Sequence, residues 1–181
     1  MSSDEMLNKI GAIPAAHLSR ILKHFVEIDK LSEPERCRAI ILDKKVSHIA
    51  SIRRVRMGRQ PYCVIPGGGI EQSDDSPVDA VRREIYEELS LTPEDYVIFE
   101  DRVLPIDDQW IYLGVLNTQP KPELVINGPE SNPDASSGSY EAIWLPLDSI
   151  HRQNLVPEEV VGILDESFDP ARILSKQEWP R

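Results

Sequence analysis

Residues 67–91 read GGGIEQSDDSPVDAVRREIYEELSL, and this stretch decides which fold the chain can adopt. Its second half predicts a helix over residues 76–89. Ser76 can cap this helix, Pro77 suits its first position, and Asp79 in the first turn favours the helix dipole. One face carries an apolar stripe that can pack on a sheet, and it is formed by Ala80, Val81, Ile85 and Leu89.

Three glutamates of this helix share one face, because Glu84, Glu87 and Glu88 are spaced i, i+3 and i+4. Like charges at these spacings destabilise a helix by roughly 0.2–0.5 kcal/mol per pair. A solvated face is the common explanation of such a cluster, but a hard divalent cation would make it favourable. Mg²⁺ takes oxygen ligands, often one or two protein carboxylates plus substrate phosphates. Since the glycines upstream let backbone approach a ligand closely, the pattern favours a cation site.

The same stretch resembles the Nudix box. That pattern is Gly, five residues, Glu, seven residues, then Arg-Glu-aliphatic-any-Glu-Glu-any-Gly-aliphatic. Residues 83–88, Arg-Glu-Ile-Tyr-Glu-Glu, match it at every constrained position, and the glycine run and Glu71 match its usual opening. The chain is therefore identified by resemblance as a member of the Nudix hydrolase family.

Two departures from the box concern the loop and the helix end. Counted from Gly68, Asp74 holds the acidic position but leaves one residue too many before Arg83, and Asp75 lies one residue too far along. An Asp thus replaces a Glu, and the loop carries a one-residue insertion. Ser90 stands where the box has a Gly that commonly ends the helix in a left-handed conformation. Ser in that conformation costs on the order of 1 kcal/mol, and a different helix end is the alternative.

The resemblance implies an α/β (α+β) fold, an α/β/α sandwich with a mixed central sheet. Residues 1–34 are expected to form an N-terminal helical extension, residues 35–170 the hydrolase domain, and residues 171–181 a tail. The extension is apolar at near-helical spacing and is a candidate surface for a homodimer. We expect a turn at Gly67 to Gly69, a long loop over 119–139 with a short strand at Leu124 to Ile126, and a last helix over 157–168. Strands are predicted from Cys37, His48, Tyr62, Tyr96, Trp110 and Tyr140.

The activity that the resemblance implies is hydrolysis of the diphosphate linkage in a nucleoside diphosphate joined to another group. Mg²⁺ is the implied cofactor, with Mn²⁺ as a substitute. Glu87 and Glu88 are its implied ligands, together with a backbone carbonyl of Gly67 or Gly68. A non-catalytic module that binds a nucleotide or another ligand on the same fold is the alternative.

The resemblance also implies roles for three further side chains. Glu84 is either a metal ligand or the base that deprotonates the attacking water, and Arg83 orients Glu84 by pairing with it. Family members often add an acid from outside the box, and Glu141 is the candidate in this chain. An exposed carboxylate at a strand end is the alternative interpretation of Glu141.

Candidate substrate contacts lie before and within the glycine loop. Alternation along the strand puts Arg54 and Arg56 on one face, and arginine suits bidentate phosphate contacts. Tyr62, Trp110, Tyr112 and Trp144 are candidates for stacking on a nucleobase, and Glu71 is a further candidate for substrate binding. The alternatives are a solubilising strand edge for the arginines and core packing for the aromatic residues, which include Trp110, Tyr112 and Trp144.

Composition narrows the remaining function classes. The net charge is −11, and residues 71–108 hold 13 acidic against 3 basic side chains, so nonspecific binding of nucleic acid is not expected. The chain has no apolar run of about 18 residues and begins without an apolar leader, so no membrane span is expected. The two cysteines, Cys37 and Cys63, lie in apolar runs and predict reduced core thiols of a cytoplasmic protein.

Overall fold

A computed structural model describes residues 15–128 and 138–168. Within them the chain forms three helices, nine strands and two 3₁₀ segments. The helices are α1 (Ala15–Leu22), α2 (Pro77–Leu89) and α3 (Glu158–Phe168), and the 3₁₀ segments are Ile28–Lys30 and Leu147–Arg152. The strands are β1 (Val26–Glu27), β2 (Arg36–Leu42), β3 (His48–Val55), β4 (Tyr62–Val64), β5 (Gly67–Gly69), β6 (Tyr96–Ile106), β7 (Gln109–Leu116), β8 (Ser139–Pro146) and β9 (Leu155–Val156).

The strands join in one mixed sheet whose order is β1-β6-β7-β2-β3-β4-β9, with β5 paired to β2 and β8 paired to β3. The β2–β7 and β4–β9 pairs are parallel and the other pairs are antiparallel. Apolar side chains of α2 pack on one face, and those of α1 and α3 pack on the other. This arrangement confirms the predicted α/β/α sandwich with a mixed central sheet.

Helix α1 ends earlier in the chain than its apolar pattern predicts. It ends at Leu22, because Val26 and Glu27 leave the helical path and pair with the edge of β6. Leu18 and Ile21 are fully buried in the core beneath α3, and Lys23 donates a 2.7 Å hydrogen bond to Glu166 of α3. The apolar surface suggested for a homodimer is therefore packed within the chain itself. Residues 1–14 of the predicted extension and the tail 171–181 lie outside the described residues.

The glycine run forms a strand where the sequence analysis predicted a turn. Gly67, Gly68 and Gly69 pair antiparallel with β2. A Cβ at Gly67 would lie 2.2 Å from the carbonyl oxygen of Cys37, so only glycine fits against β2 there. Gly67 also has a φ of +138°, which side chains rarely adopt. The extended glycine backbone therefore runs beside the first half of β2.

The long loop before β8 does not contain the strand that the sequence predicted. The short strand predicted at Leu124 to Ile126 is absent, and residues 121–128 form irregular backbone. That segment is hydrogen-bonded to the end of α2, because the backbone N–H groups of Asn127 and Gly128 donate to the Glu87 carbonyl.

Of the helices in the described residues, none is long and apolar enough to cross a membrane.

Candidate active site

The sequence of α2 determines which of its side chains face the glycine strand. Ser76 caps the helix by accepting a 3.3 Å hydrogen bond from the backbone N–H of Asp79. The apolar stripe of α2 is buried on the sheet, and Glu88 is buried with it although it is charged. A charged side chain is seldom buried unless it has partners, so the burial of Glu88 implies that nearby groups compensate its charge.

Helix α2 ends at Leu89, and Ser90 takes the left-handed conformation with a φ of 56°. Its hydroxyl donates a 2.7 Å hydrogen bond to the Val125 carbonyl and accepts one of 2.6 Å from the Asn127 side chain. These bonds offset the cost of a left-handed serine, which is on the order of 1 kcal/mol. Ser90 therefore keeps the helix end of the Nudix box and ties it to residues 121–128.

The two bonds predict a stability order for variants at this position. Ser90→Ala keeps the backbone strain and loses both bonds, so we expect the free energy of unfolding to fall by about 1–2 kcal/mol. Ser90→Gly loses the same bonds but removes the strain, so its loss should be smaller. Urea denaturation measures both. An alanine variant as stable as the wild type would contradict this account of the helix end.

Arg83 contacts several of the acidic groups around the glycine strand. Its side chain donates hydrogen bonds to both oxygens of Asp74, at 3.1 Å each, and to the Gly69 carbonyl at 3.0 Å. It also donates to Glu84 Oε1 at 2.9 Å. Glu87 lies 3.7 Å from the same guanidinium. Arg83 thus pairs with Glu84, and it joins the loop to the helix through Asp74 at the same time.

The structure also shows which loop aspartate serves as the partner of Arg83. Asp74 is nearly buried and takes the bidentate pairing, although eight residues separate it from the arginine. Its hydrogen bonds with Arg83 hold the pKa of Asp74 below its ordinary value of 3.8. The same bonds raise the pKa of Arg83. The extra loop residue is therefore accommodated without loss of the ion pair.

The lowered pKa of Asp74 predicts how stability depends on pH. A carboxyl whose pKa is depressed by folding stabilises the fold above its unfolded pKa, and this contribution is lost as pH falls through the folded pKa. We expect Asp74→Asn to lower the free energy of unfolding by about 2 kcal/mol at pH 7. The difference from the wild type should shrink as pH falls below 3.8. Urea titrations at several pH values test this, and a pH-independent difference would contradict it.

Two of the helix glutamates lie directly against the glycine strand. Glu88 accepts a 2.8 Å hydrogen bond from the backbone N–H of Gly67, and only 5% of its side chain is exposed. A Cβ at Gly68 would lie 2.3 Å from Glu84 Oε1, so the absence of a side chain lets that carboxylate reach the strand. The structure therefore brings Glu84, Glu88, Gly67 and Gly68 together, as predicted for the candidate metal ligands.

The side chains of α2 beside the glycine strand carry the kind of donor atom that Mg²⁺ binds. Glu84, Glu87 and Glu88 supply only oxygen atoms, which Mg²⁺ prefers, and one or two carboxylates completed by substrate phosphates are enough. No group of three or more His, Cys, Asp or Glu side chains converges within residues 15–128 and 138–168. The glutamates instead face cationic or N–H partners, Arg83 for Glu84 and Gly67 for Glu88. The donor set fits Mg²⁺ with few protein ligands.

Arg38 occupies the space beneath the glycine strand. Its side chain donates to the Gly67 carbonyl at 3.3 Å and to the Ile65 carbonyl at 3.1 Å. Burial lowers the pKa of Arg38, and its Nε donates to the Gln109 side chain at 2.8 Å. The sequence analysis did not select Arg38. Arg38 thus already engages the carbonyl of Gly67, one of the two glycines predicted as backbone ligands.

The candidate substrate residues fall into two groups. Arg54 and Tyr62 are opposite each other in the β3–β4 register, and Arg54 Nη2 lies 3.8 Å from Glu88 Oε1. Arg56 is the first residue after β3, and alternation along the strand puts it on the face of Arg54. Glu71 is more exposed and lies 3.7 Å from Arg83. Arg54 therefore borders Glu88 and Tyr62 lies beside Arg54, while Glu71 lies farther out.

Glu141 is not brought to the helix glutamates. On β8, Tyr140, Ala142 and Trp144 pack toward α2, and Ile143 packs toward the opposite face of the sheet. Alternation places Glu141 on the face of Ile143. There it is exposed and lies 3.9 Å from Arg53, a residue that likewise points away from α2. The structure thus favours the interpretation of Glu141 as an exposed strand carboxylate.

The remaining aromatic residues differ in how deeply they are buried. Trp110 and Tyr112 are buried in the core beneath α2, which agrees with core packing. Trp144 is half-buried and donates a 3.0 Å hydrogen bond to the Pro122 carbonyl. Tyr140 was not selected from the sequence, yet its ring lies 5.0 Å from the guanidinium carbon of Arg54. Its even spacing from Trp144 on a predicted strand is the signal that could have identified it.

The chain is similar to known proteins in sequence and in fold. A family model described as the NUDIX domain matches residues 34–163. A nucleoside triphosphate pyrophosphatase/Nudix hydrolase fusion protein of Bifidobacterium longum is 28% identical over 116 residues. The match covers 62% of this chain and 22% of that protein, so the chain spans about a fifth of the length of this curated relative.

Solved structures share the fold at low sequence identity. A crystal structure of the Ap4A hydrolase of C. elegans has a TM-score of 0.51 and 18% identity, and it covers 79% of this chain and 99% of the other. A binary complex of the C. elegans Ap4A hydrolase has a TM-score of 0.50 and 17% identity, with 78% and 98% coverage. At this identity the likeness supports the fold alone.

Proposed function

The chain belongs to the Nudix family, and from that premise we propose that it hydrolyses the diphosphate linkage of a nucleoside diphosphate joined to another group. Mg²⁺ is the proposed cofactor, with Mn²⁺ as a substitute. The observation that carries this proposal is the placement of Glu84 and Glu88 against the glycine strand, where Arg83 and the Gly67 N–H hold them. Glutamates that served only as a solvated helix face would have no need of these contacts.

The proposed reaction is attack of water at one phosphorus of the diphosphate. Glu87 and Glu88 would hold the metal ion together with a glycine-strand carbonyl. A bound Mg²⁺ supplies charge neutralisation of the diphosphate oxygens and lowers the pKa of water. Glu84 accepts a proton from the attacking water at its carboxylate, and Arg83 fixes the direction of that carboxylate. Arg54 and Arg56 contact the phosphate oxygens from β3.

Binding of the nucleoside portion is assigned to the same face of the sheet. Tyr62 and the half-buried Trp144 both pack toward α2, and each can stack on a base. A cleft of about 700 Å³ between residues 123–126 and β8 includes Trp144 in its lining. The proposed partners are accordingly small nucleotide derivatives. The proposed compartment is the cytoplasm, because both cysteines are buried free thiols.

A substrate panel tests the proposal. Metal-free protein is assayed with nucleotide sugars, ADP-ribose, dinucleoside polyphosphates and ordinary and oxidised deoxynucleoside triphosphates, before and after addition of Mg²⁺. We expect Mg²⁺-dependent cleavage of at least one compound by the wild type and little cleavage by Glu87→Gln. Activity that Glu87→Gln leaves unchanged would contradict the proposal. Tight binding of a nucleotide without turnover would instead support the non-catalytic alternative.

A further inference from the structure

Three residues form a row across neighbouring strands beside Glu88. In the sheet register Arg54 of β3 lies opposite Tyr62 of β4 on one side and opposite Tyr140 of β8 on the other. Both tyrosines pack toward α2. The guanidinium carbon of Arg54 lies 5.0 Å from the centroid of the Tyr140 ring, a distance at which a cation is attracted to the ring face. The sheet thus fixes Arg54 between two tyrosines.

Arg54 is near Glu88 without a short bond to it. Glu88 Oε2 is held by the Gly67 N–H, whereas Oε1 lies 3.8 Å from Arg54 Nη2. This separation allows charge compensation but exceeds a hydrogen-bond length. The Nε of Arg54 is buried with no hydrogen-bond partner. A buried donor without an acceptor is unfavourable, so Arg54 retains capacity to bind an oxyanion.

Arg56 is the second arginine of this face. Tyr140, and to a smaller extent Tyr62, raises the pKa of Arg56. The Nε of Arg56 is likewise buried without a hydrogen-bond partner. Arg56 therefore also retains capacity to bind an oxyanion.

We propose that Arg54 is a counter-ion shared between Glu88 and the substrate diphosphate, and that Tyr140 is the positioning residue that holds Arg54 for this exchange. The inference rests on the proposed function. Without a divalent cation, Arg54 offsets the charge of the nearly buried Glu88. When a cation binds Glu88, its two charges replace the one of Arg54 and repel the guanidinium. Arg54 is then available to the diphosphate, whose oxygens suit a guanidinium fork.

If Arg54 and a cation compete for Glu88, removing the arginine should strengthen the binding of Mn²⁺ and weaken the binding of pyrophosphate. We expect Arg54→Gln to bind Mn²⁺, measured by electron paramagnetic resonance without nucleotide, roughly threefold to tenfold more tightly than the wild type. The same variant should bind inorganic pyrophosphate, measured by calorimetry with chelator present, at least about threefold more weakly. Arg53→Gln is the matched control, because Arg53 neighbours Arg54 in sequence but points to the opposite face and pairs with Glu141. Both affinities of the control should equal those of the wild type.

Other results would overturn the shared role of Arg54. If Arg54→Gln binds Mn²⁺ no more tightly than the wild type, the arginine does not compete with the cation. If its affinity for pyrophosphate equals that of the wild type, the arginine does not bind the diphosphate. Failure of the proposed function has a different signature, which is that Glu88→Gln and the wild type bind Mn²⁺ equally.

Variants of Tyr140 test its positioning role separately. Tyr140→Leu removes the ring face and the oxygen, so we expect KM for the substrate found in the panel to rise roughly threefold to tenfold while kcat changes by less than about twofold. Tyr140→Phe keeps the ring face that contacts Arg54, so its rise in KM should be smaller. Circular dichroism confirms that both variants fold. An unchanged KM in Tyr140→Leu, or an equal loss in kcat, would overturn this role.

Discussion

Glu88→Gln is expected to lower kcat/KM by about 10²–10⁴-fold, the largest effect on activity among the substitutions considered. The amide removes the negative charge that would hold the metal ion, while its oxygen can still accept the 2.8 Å bond from the Gly67 N–H. Stability should therefore stay near that of the wild type, and it should rise slightly if the charge of Glu88 is costly to bury. Steady-state kinetics with the substrate from the panel and urea denaturation measure the two quantities.

The position of Glu141 supplies the comparison for this experiment. Both residues are glutamates, but Glu141 lies on the opposite face of the sheet and is exposed. We expect Glu141→Gln to change kcat/KM by less than about twofold, in keeping with the small effects of exposed ion pairs. A loss in Glu141→Gln as large as that in Glu88→Gln would show that the strand carboxylate reaches the reaction, contrary to this structure.

The second large effect is expected for stability, in Gly67→Ala. The added Cβ would lie 2.2 Å from the Cys37 carbonyl oxygen and 2.5 Å from the Arg38 Cα. Both are backbone atoms that cannot rotate away, and the φ of +138° is strained for alanine in any case. We expect the free energy of unfolding to fall by about 2–4 kcal/mol. Because the Gly67 N–H also holds Glu88, activity should fall as well.

Gly69→Ala is the matched control in the same strand. A Cβ at Gly69 meets no atom within 4 Å, so the free energy of unfolding should change by less than about 0.5 kcal/mol. Urea denaturation of both variants measures the difference. Equal stability of the two variants would mean that the glycine strand does not press against β2 as the structure has it.

The sequence predicted the helix of the box well because its signals are local. The cap at Ser76 and the apolar stripe act within the helix itself, and the structure has α2 end at Leu89 as the pattern predicted. The three glutamates could be placed on one face for the same reason. What local spacing could not show is that Glu88 is buried and Glu87 less so, since that depends on how α2 is rotated against the sheet.

The failures of prediction concern long-range pairing. Nothing in the residues near Gly67 to Gly69 shows that this run pairs with β2, which is about thirty residues earlier in the chain. Likewise Val26 and Glu27 continue an apolar helical pattern, but they form a strand because they pair with the edge of β6. Propensity is a weak guide where a tertiary contact competes with it.

The site residues that sequence reasoning missed also depend on the strand register. Tyr140 and Glu141 are adjacent in the chain, and the side of the sheet that each occupies is fixed by the pairing of β8 with β3. With that register Tyr140 lies beside Arg54, and Glu141 lies beside Arg53. A one-residue shift would have exchanged the two, so the sequence alone could not choose between them.

The central claim is that the carboxylates beside the glycine strand serve a divalent cation in cleaving a phosphoanhydride. Phosphorus NMR of metal-free protein with the substrate panel, followed while Mg²⁺ is added, tests this most directly. The account predicts no cleavage before Mg²⁺, cleavage of a diphosphate linkage after it, and almost none at any Mg²⁺ concentration in Glu88→Gln. Cleavage that proceeds equally without Mg²⁺, or equally in Glu88→Gln, would contradict it.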